Sequence, residues 1–253
     1  MLSEERKIKI LNYINTRYAV TATELMEKFN ASEATIRRDL TEMDRKGLIS
    51  KVHGGAVSIQ NKIAKDFMVS EREEQNSDEK IAIAKYAASL VSDNDTVFLD
   101  AGTTTSYLID YLEATNVTFV TNAIVHAQKL AAKGYSVYLT GGKLKSTTEA
   151  LVGVDCYEFL ANYHFSIGFF GTNAVNEEAG FTTPDLEEAK IKQCALSHTM
   201  SPYVLCDHSK FDMTAPVSFA PYNQACIITA GDVPKKYRKE KNVIYLSNSS
   251  LEE

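Results

Sequence analysis

Apolar residues recur with the period of an α-helix in three consecutive segments at the start of the chain. The first segment covers residues 4–15, and the second begins at Thr21, where Glu24 completes the capping-box spacing of a helix start. The third begins after Ser32, another residue type that caps helices. Its apolar positions are three and four residues apart and so form one stripe, made of Ile36, Leu40 and Met43.

Only residues 30 and 31 separate the second predicted helix from the third. Two helices joined by so short a turn predict a helix-turn-helix, whose second helix can enter the DNA major groove. Gly47 is expected to end the third helix, and LISKVHGGAV (48–57) predicts a small hairpin that turns at Gly54 and Gly55. Three helices followed by a β-hairpin make a winged helix-turn-helix.

Two adjacent arginines lie on the third predicted helix, away from its apolar stripe. Arg38 is nearly opposite the stripe with Thr35 beside it, and Arg37 lies on the flank. We expect Arg38 and Thr35 to contact base edges, Arg37 to contact phosphate, and the hairpin to contact the DNA backbone or minor groove. The alternatives are a solvated basic face and an uninvolved hairpin. The expected DNA-binding residues are Ser32, Thr35, Arg37, Arg38, Lys51 and His53.

From Asp78 onwards, short apolar runs alternate with amphipathic segments of helical period. This alternation predicts an α/β domain whose parallel sheet is covered on both faces. The predicted domains are a winged helix-turn-helix at 1–57, a polar linker at 58–77 that can hold a short strand or helix, and a second domain at 78–253. The predicted strands are DTVFLD (95–100), VTFVT (117–121), SVYLT (136–140), HFSIGFFG (164–171), YVLCD (203–207) and ACIITAG (225–231).

Polar residues follow almost every predicted strand, and ligands of open α/β sheets bind outside the carboxyl ends of the strands. The segment DAGTTTS (100–106) also opens a helix, so backbone N–H groups, threonine hydroxyls and the helix dipole favour an anion there. The turn Gly141-Gly142 with Lys143 offers a second close backbone approach. We expect one phosphorylated small molecule in this crevice, and ordinary loop chemistry is the alternative.

Each expected ligand of this molecule has a stated role. Gly102, Thr103, Thr104 and Thr105 hold the phosphate, and Gly141, Gly142 and Lys143 line it from another strand end. Asp100, Asn122 and Lys210 contact sugar hydroxyls or a carbonyl, although Asp100 can instead brace the loop or cap a helix. The expected effector-binding residues are Asp100, Gly102, Thr103, Thr104, Thr105, Thr121, Asn122, Gly141, Gly142, Lys143 and Lys210.

The chain carries 27 Lys and Arg against 33 Asp and Glu, a formal net charge of −6. Residues 1–60 hold ten Lys or Arg against eight Asp or Glu, and the remainder holds seventeen against twenty-five. A locally basic face on an acidic protein is typical of a DNA binder whose other domain does not touch nucleic acid. The acidic part argues against a DNA-packaging role, and a helical scaffold or protein-interaction module is the other alternative.

The four cysteines form no CxxC pair, so no metal site, redox site or cofactor is expected. No apolar run approaches about 18 residues, so we expect no α-helical membrane span. The amino terminus has no apolar stretch typical of a signal peptide, and we therefore expect a cytoplasmic protein.

Several motifs together resemble those of DeoR-type bacterial transcriptional repressors. SEATIRRDL and GLISKVHGGAV resemble the family's DNA-binding signature, and FLDAGTTT, VTNA, LTGGKLK, GFTTPDLEEAKIK and CDHSKF resemble the successive motifs of its effector domain. The resemblance implies a sugar-phosphate sensor built like ribose-5-phosphate isomerase and glucosamine-6-phosphate deaminase, operator DNA as a partner, and a homodimer or homotetramer. Within the family, the chain is most similar to repressors of fructose phosphotransferase operons, so a ligand like fructose 1-phosphate is the first expectation.

The chain departs from the family pattern at a few positions. Ala230 stands where the family usually has an aspartate, which puts in doubt the ligand hydroxyls that are recognised. Lys143 and Lys145 stand where an arginine is common, and Cys206 replaces an alanine. The alternative function is an aldose–ketose phosphate isomerase with an appended DNA-binding domain. That reaction needs a carboxylate base, for which Asp100, Glu149 and Asp207 are candidates, but paired carboxylates on one late loop are absent.

Overall fold

The computed structural model describes residues 3–17, 19–52, 54–58 and 68–247. The chain divides into two compact units, Met1–Ile63 and Ala64–Glu253. Within the segment expected to be a linker, residues 69–73 form a helix that belongs to the second unit.

The described part of the first unit contains three helices and a three-stranded antiparallel sheet. The helices are α1 (Ser3–Arg17), α2 (Ala22–Phe29) and α3 (Glu33–Arg45), and the strands are β1 (Ala19–Thr21), β2 (Ile49–Val52) and β3 (Gly55–Ser58) in the order β1-β3-β2. The helices and the β2–β3 hairpin were expected from the sequence. The strand β1 was not, because three residues are too few to show an alternating pattern.

Local capping explains where the helices of the first unit begin and end. The Thr21 hydroxyl accepts from the Glu24 N–H at 3.1 Å, and the Ser32 hydroxyl accepts from the Thr35 N–H at 3.4 Å. Between α2 and α3, Asn30 takes the left-handed conformation with φ 46°, which makes the tight turn possible. The apolar faces meet in a core made of Ile10, Ile14, Val20, Leu25, Ile36, Leu40, Met43, Ile49 and Ala56.

The second unit is built around a seven-stranded sheet in the order β15-β14-β12-β9-β4-β5-β6, in which every pair is parallel. Its helices are α4 (Val69–Glu73), α5 (Ser77–Ser89), α6 (Thr103–Asp110), α7 (Ile124–Ala132), α8 (Val154–Leu160) and α9 (Leu186–Ser197). The sheet strands are β4 (Thr96–Leu99), β5 (Thr118–Thr121), β6 (Ser136–Leu139), β9 (Phe165–Gly171), β12 (Thr199–Leu205), β14 (Cys226–Ala230) and β15 (Val243–Leu246).

Smaller strands lie outside this sheet. A hairpin is formed by β7 (Lys143–Lys145) and β8 (Ala150–Val152), and an antiparallel sheet is formed by β10 (Ala174–Asn176), β11 (Gly180–Thr183) and β13 (Val217–Ala220). Six of the seven strands of the large sheet were expected from the sequence, and β15 was not.

Both faces of the central strand β4 are buried, as the apolar runs predicted, whereas the edge strand β6 is mostly exposed. Along β4, Phe98 joins a core that includes residues of α8 and α9, while Val97 and Leu99 join a core that includes residues of α5, α6 and α7. The ring of Phe98 lies 5.3 Å from that of Phe170 on the neighbouring strand. The fold is therefore a winged helix-turn-helix joined to a doubly covered parallel α/β domain.

The strand order reverses direction between β4 and β9. From β4 the chain proceeds to β5 and β6 on one side, and from β9 it proceeds to β12, β14 and β15 on the other. Such a reversal leaves a crevice between the two connections at the carboxyl ends of the strands. In the described ranges, no helix combines the length and the apolar character needed to cross a lipid bilayer.

Candidate functional site

The exposed face of α3 is the candidate DNA-contacting surface of the first unit. Ile36, Leu40 and Met43 are buried, so Arg37 and Arg38 lie on the solvent side. Arg37 forms an ion pair with Glu33 at 2.9 Å, in which both side chains are more than half exposed. In the described part of the chain, Arg38 has no ion pair or side-chain hydrogen bond, so its guanidinium is available to an outside partner.

Other expected DNA-binding residues are engaged within the unit. The hydroxyls of Ser32 and Thr35 lie 2.9 Å apart at the start of α3. The ammonium of Lys51 donates to the Thr41 hydroxyl at 2.7 Å, and its backbone N–H donates to Asp44 at 2.8 Å. These two bonds tie the β2–β3 hairpin to α3. His53 lies outside the described residues.

Two acidic residues that the sequence did not single out anchor α3 to α1. Asp39 is buried and accepts two hydrogen bonds from Arg6, at 2.7 Å and 3.2 Å. Glu42 accepts from Lys46 at 2.7 Å and Lys7 at 2.6 Å, and these bonds lower the pKa of the Glu42 carboxyl to about 2. The exposed arginines are thus presented on a helix that is held by charged contacts as well as by its apolar core.

The candidate effector site is a crevice in the second unit at the point where the strand order reverses. It is an open crevice whose roughly 660 Å³ of space includes bulk solvent at its mouth. The loop after β4, the end of β9 and the segment after β12 border it, together with residues of α4, α5 and α9. The expected residues that border it are Gly102, Thr103, Thr104, Thr105 and Lys210.

The amino terminus of α6 opens into this crevice without a side-chain cap. Gly102 is the cap residue, so the first N–H groups of α6, at residues 103–105, have no partner within the helix. The Thr105 hydroxyl is used internally, donating to the carbonyl of Asp100 at 2.7 Å. Burial lowers the pKa of His126 to about 4, so the ring is neutral, and its Nε2 lies 3.2 Å from the Gly102 carbonyl, which can only accept. The structure presents backbone donors where an anion is expected.

Asp100 braces the floor of the crevice. Its carboxylate accepts from the Gly171 N–H at 2.9 Å and pairs with the ammonium of Lys192, which also donates to the Gly171 carbonyl at 3.1 Å. Both side chains of the pair are almost fully buried, and burial raises the pKa of the Asp100 carboxyl. The sequence left several roles open for Asp100, and these contacts match that of a brace for the loop after β4. The residue that caps α6 is Gly102 instead.

A second buried carboxylate, Asp207, faces a group of cations. It accepts from Asn76 at 2.8 Å and from the Ser209 N–H at 3.0 Å. Burial opposes its charged form, but Lys210, Ser209 and Lys80 outweigh burial and hold the pKa of the Asp207 carboxyl below its usual value. Lys210 follows on a short 3₁₀ turn and borders the crevice.

Two cations that the sequence reasoning missed complete this end of the crevice. Lys80, on α5, is 4 % exposed, and burial lowers the pKa of its ammonium to about 8. Its Nζ donates to the carbonyl of Arg72 on α4, and the Nε of Arg72 is buried without a hydrogen-bond partner among the described atoms. The Lys and Arg in these helices carry no local motif that marks them as ligands.

The charges divide the crevice into two ends. At one end, Glu188 on α9 accepts from Thr148 at 2.5 Å, Lys145 at 3.1 Å and Thr183 at 3.3 Å, so its charge is balanced. Beside it, Lys192 is balanced by Asp100. At the other end, Asp207 faces three cations, and Glu73 also favours the charged form of Lys80, so cations still outnumber carboxylates and an anionic ligand is favoured. The three cations are Arg72, Lys80 and Lys210.

The structure does not bring the remaining expected ligands into the crevice. Thr121 donates to the Leu99 carbonyl at 2.6 Å, and Asn122 accepts from the Ala101 N–H at 3.0 Å, so both hold the backbone. Gly141, Gly142 and Lys143 are exposed after β6, the outermost strand on that side of the sheet. These residues do not border the crevice because β6 lies two strands from β4, although the segment after them returns to the crevice at Thr148.

The carboxylates of the crevice are committed to structural partners. Asp100 is bound by Lys192 and Gly171, Glu188 by three donors, and Asp207 by Asn76 and Ser209. Because protein donors already occupy their oxygens, these carboxylates are not free to take a proton from a ligand, and the arrangement suits recognition better than proton abstraction.

Residues 6–62 match the DeoR-like helix-turn-helix domain, and residues 75–231 match the DeoR C-terminal sensor domain. The chain is 40% identical over 248 residues to the uncharacterized HTH-type transcriptional regulator FruR of Bacillus subtilis (strain 168), covering 96% of this chain and 98% of that protein. It is 37% identical over 227 residues to the lactose phosphotransferase system repressor of Staphylococcus aureus (strain NCTC 8325 / PS 47), covering 88% of this chain and 90% of that protein.

Solved structures also align with this chain, at low TM-scores. Ribose 5-phosphate isomerase A from Methanocaldococcus jannaschii aligns with TM-score 0.39 and 18% identity over 54% of this chain and 55% of that one. The sorbitol operon regulator SorC from Klebsiella pneumoniae aligns with TM-score 0.40 and 10% identity over 88% and 96% of the two chains. These likenesses are weak and carry none of the functional conclusions.

The two domain matches follow the order of the two structural units, and the FruR relative aligns over nearly the full length of the chain. Both findings agree with an exposed arginine face in the first unit and a cationic crevice in the second. The relatives named above are a transcriptional regulator and a repressor, so they do not support the alternative function of a sugar-phosphate isomerase. The chain belongs to the DeoR family of transcriptional regulators and is a DNA-binding regulator, not an enzyme.

Proposed function

We propose that this protein represses a sugar-utilisation operon and is released from its operator by a phosphorylated sugar bound in the crevice of the second unit. The three cations that line the crevice beside Asp207, next to the uncapped amino terminus of α6, carry this proposal, because backbone N–H groups and cations together suit a phosphate group. The sugar would lie towards Lys192 and Glu188, where the charges are already balanced.

A ligand like fructose 1-phosphate is the first candidate effector. One relative is named a lactose phosphotransferase system repressor, and a phosphotransferase system delivers its sugar as a phosphate ester; another relative is named FruR. At the other site, Arg38 and Thr35 would contact base edges, and Arg37, Ser32 and Lys51 would contact the backbone. Helix-turn-helix proteins commonly bind two half-sites as dimers, so we propose a homodimer or homotetramer as the DNA-bound form.

Calorimetric titration of the full-length protein with a panel of sugar phosphates and the matching free sugars tests the crevice. We expect a phosphate ester to bind and its free sugar to bind far more weakly. Equal affinity for the two would contradict a phosphate site.

Operator titrations test whether the effector weakens or strengthens DNA binding. With an operator selected in vitro from random DNA, a saturating effector is expected to weaken DNA binding roughly 5–150-fold, which is the usual size of allosteric coupling. An unchanged affinity would contradict induction, and a tightened affinity would make the effector a co-repressor.

A further inference from the structure

One buried donor in the crevice has no acceptor among the described residues. Arg72 borders the crevice from α4, and its Nε–H is sealed from solvent without a hydrogen-bond partner. An unpaired buried donor of a charged group is unfavourable. Because guanidinium N–H groups match two oxygens of a phosphate at once, this donor fits an acceptor that arrives with a ligand.

Two contacts hold Arg72 at the cationic end of the crevice. The ammonium of Lys80 donates to the Arg72 carbonyl, and Lys80 is itself 4 % exposed and borders the same space. The helix α4 also packs against α6, whose first N–H groups open into the crevice. A phosphate bound at the start of α6 would therefore find donors from α4, α5 and α6 together.

The position of α4 along the chain gives this contact a second consequence. The DNA-binding unit ends at Ile63, and α4 begins at Val69. An ion pair formed by Arg72 thus acts on the part of the second unit that is nearest in sequence to the DNA-binding unit. In general, a ligand that binds one arrangement of a segment more tightly than another shifts the population towards that arrangement.

We infer that Arg72 is a ligand of the effector's phosphate and that α4 transmits effector binding to the DNA-binding unit. This inference rests on the proposed function, because it assumes a phosphate ester in the crevice. It goes further in naming the residue that joins recognition of the phosphate to release of the operator.

The test compares Arg72→Gln and Arg72→Lys with the control Lys241→Gln, which removes one exposed cation of the same unit that does not border the crevice. For Arg72→Gln we expect the dissociation constant of fructose 1-phosphate, or of the sugar phosphate that the panel identifies, to rise at least about tenfold, the size expected for a charge-assisted hydrogen bond. Arg72→Lys should lose most of the effector affinity as well, because lysine keeps the positive charge but lacks the planar guanidinium that donates two parallel hydrogen bonds. Lys241→Gln should stay within about twofold of the effector affinity of the unsubstituted protein.

The coupling is measured at effector concentrations that saturate each variant. In effector-saturated Arg72→Gln, operator affinity should hardly decrease, while in Lys241→Gln the effector should weaken operator binding by the same factor as in the unsubstituted protein. Unchanged effector affinity in Arg72→Gln would overturn the ligand assignment, and full operator release by the saturated variant would overturn the role of α4. If the unsubstituted protein binds no sugar phosphate, the proposed function fails and this inference fails with it.

Hydrogen exchange on the unsubstituted protein gives a second readout that does not depend on how the variants fold. Effector binding should slow exchange of the amides of residues 69–73 at least severalfold, since closing Arg72 onto the phosphate stabilises α4. Unchanged exchange in α4, alongside slowed exchange at the start of α6, would overturn the inference and leave the phosphate site itself intact.

Discussion

Asp100 and Lys192 form a buried ion pair across 92 positions of sequence, and Gly171 hydrogen-bonds to both partners through its N–H and its carbonyl. The pair therefore joins the end of β4, the end of β9 and the helix α9 at the floor of the crevice. Both side chains are nearly inaccessible to water, at 2% and 6% exposure. Their charges hold the crevice together and are not free to act on a substrate.

Removing one partner of this pair should be strongly destabilising. Lys192→Met leaves an uncompensated buried carboxylate, which costs about 3–5 kcal/mol in the free energy of unfolding. Adding Asp100→Asn to Lys192→Met should recover much of that loss, because the amide can still accept from Gly171 without a charge. Urea unfolding of the full-length protein measures both. Equal stability of the single and double variants would contradict the coupling of the two residues.

The two exposed arginines of α3 should have separable effects on DNA binding. Arg38→Ala should reduce discrimination between operator bases by about 1–3 kcal/mol, the value of one bidentate contact with guanine. Arg37→Ala should weaken binding to all sequences and reduce the salt slope by about one. Titrations of operator and random DNA at several salt concentrations distinguish these results. If neither variant changes affinity or salt dependence, α3 is not the recognition helix.

Effector binding should take up protons near pH 8. Burial lowers the pKa of Lys80 to about 8, with Asp207 and Glu73 favouring its charged form and Lys210 and Arg72 opposing it. A bound phosphate adds negative charge beside Lys80 and so raises its pKa, which draws in about half a proton at pH 8. Calorimetry in Tris and HEPES buffers at that pH measures the uptake. Lys80→Met should abolish it, and undiminished uptake in that variant would assign the proton to another group.

Two neighbouring glycines of the hairpin should respond differently to alanine. A Cβ on Gly55 would lie 2.1 Å from the Val20 carbonyl oxygen, so Gly55→Ala must separate β1 from β3 and should cost about 3 kcal/mol. Gly54 has φ +81° but open space around it, so Gly54→Ala should cost only about 1 kcal/mol of backbone strain. Thermal unfolding and hydrogen exchange of the β1 and β3 amides check this order, and equal losses would contradict it.

The helices, their starting points and most of the strands follow from the sequence, because each depends on contacts within a few residues. Thr21 and Ser32 cap α2 and α3 with their own hydroxyls, and Phe98 alternates with its neighbours between two apolar faces. The exposure of Arg38 also follows from the helical period that buries Ile36 and Leu40. The loop of residues 100–105 was predicted as an anion site for the same local reason, since it combines a strand end with a helix start.

The composition of the crevice depends on the order of the strands, which no local pattern contains. The sequence places the Gly141-Gly142 turn one strand after Asn122, but the sheet places it at the far side of β5, away from the reversal between β4 and β9. Conversely, Lys192 and Arg72 lie on helices far apart in sequence, with nothing in their neighbours to distinguish them from solvated cations. Only the tertiary structure brings these two side chains to one space, because burial and charge pairing there arise from segments that meet when the sheet assembles.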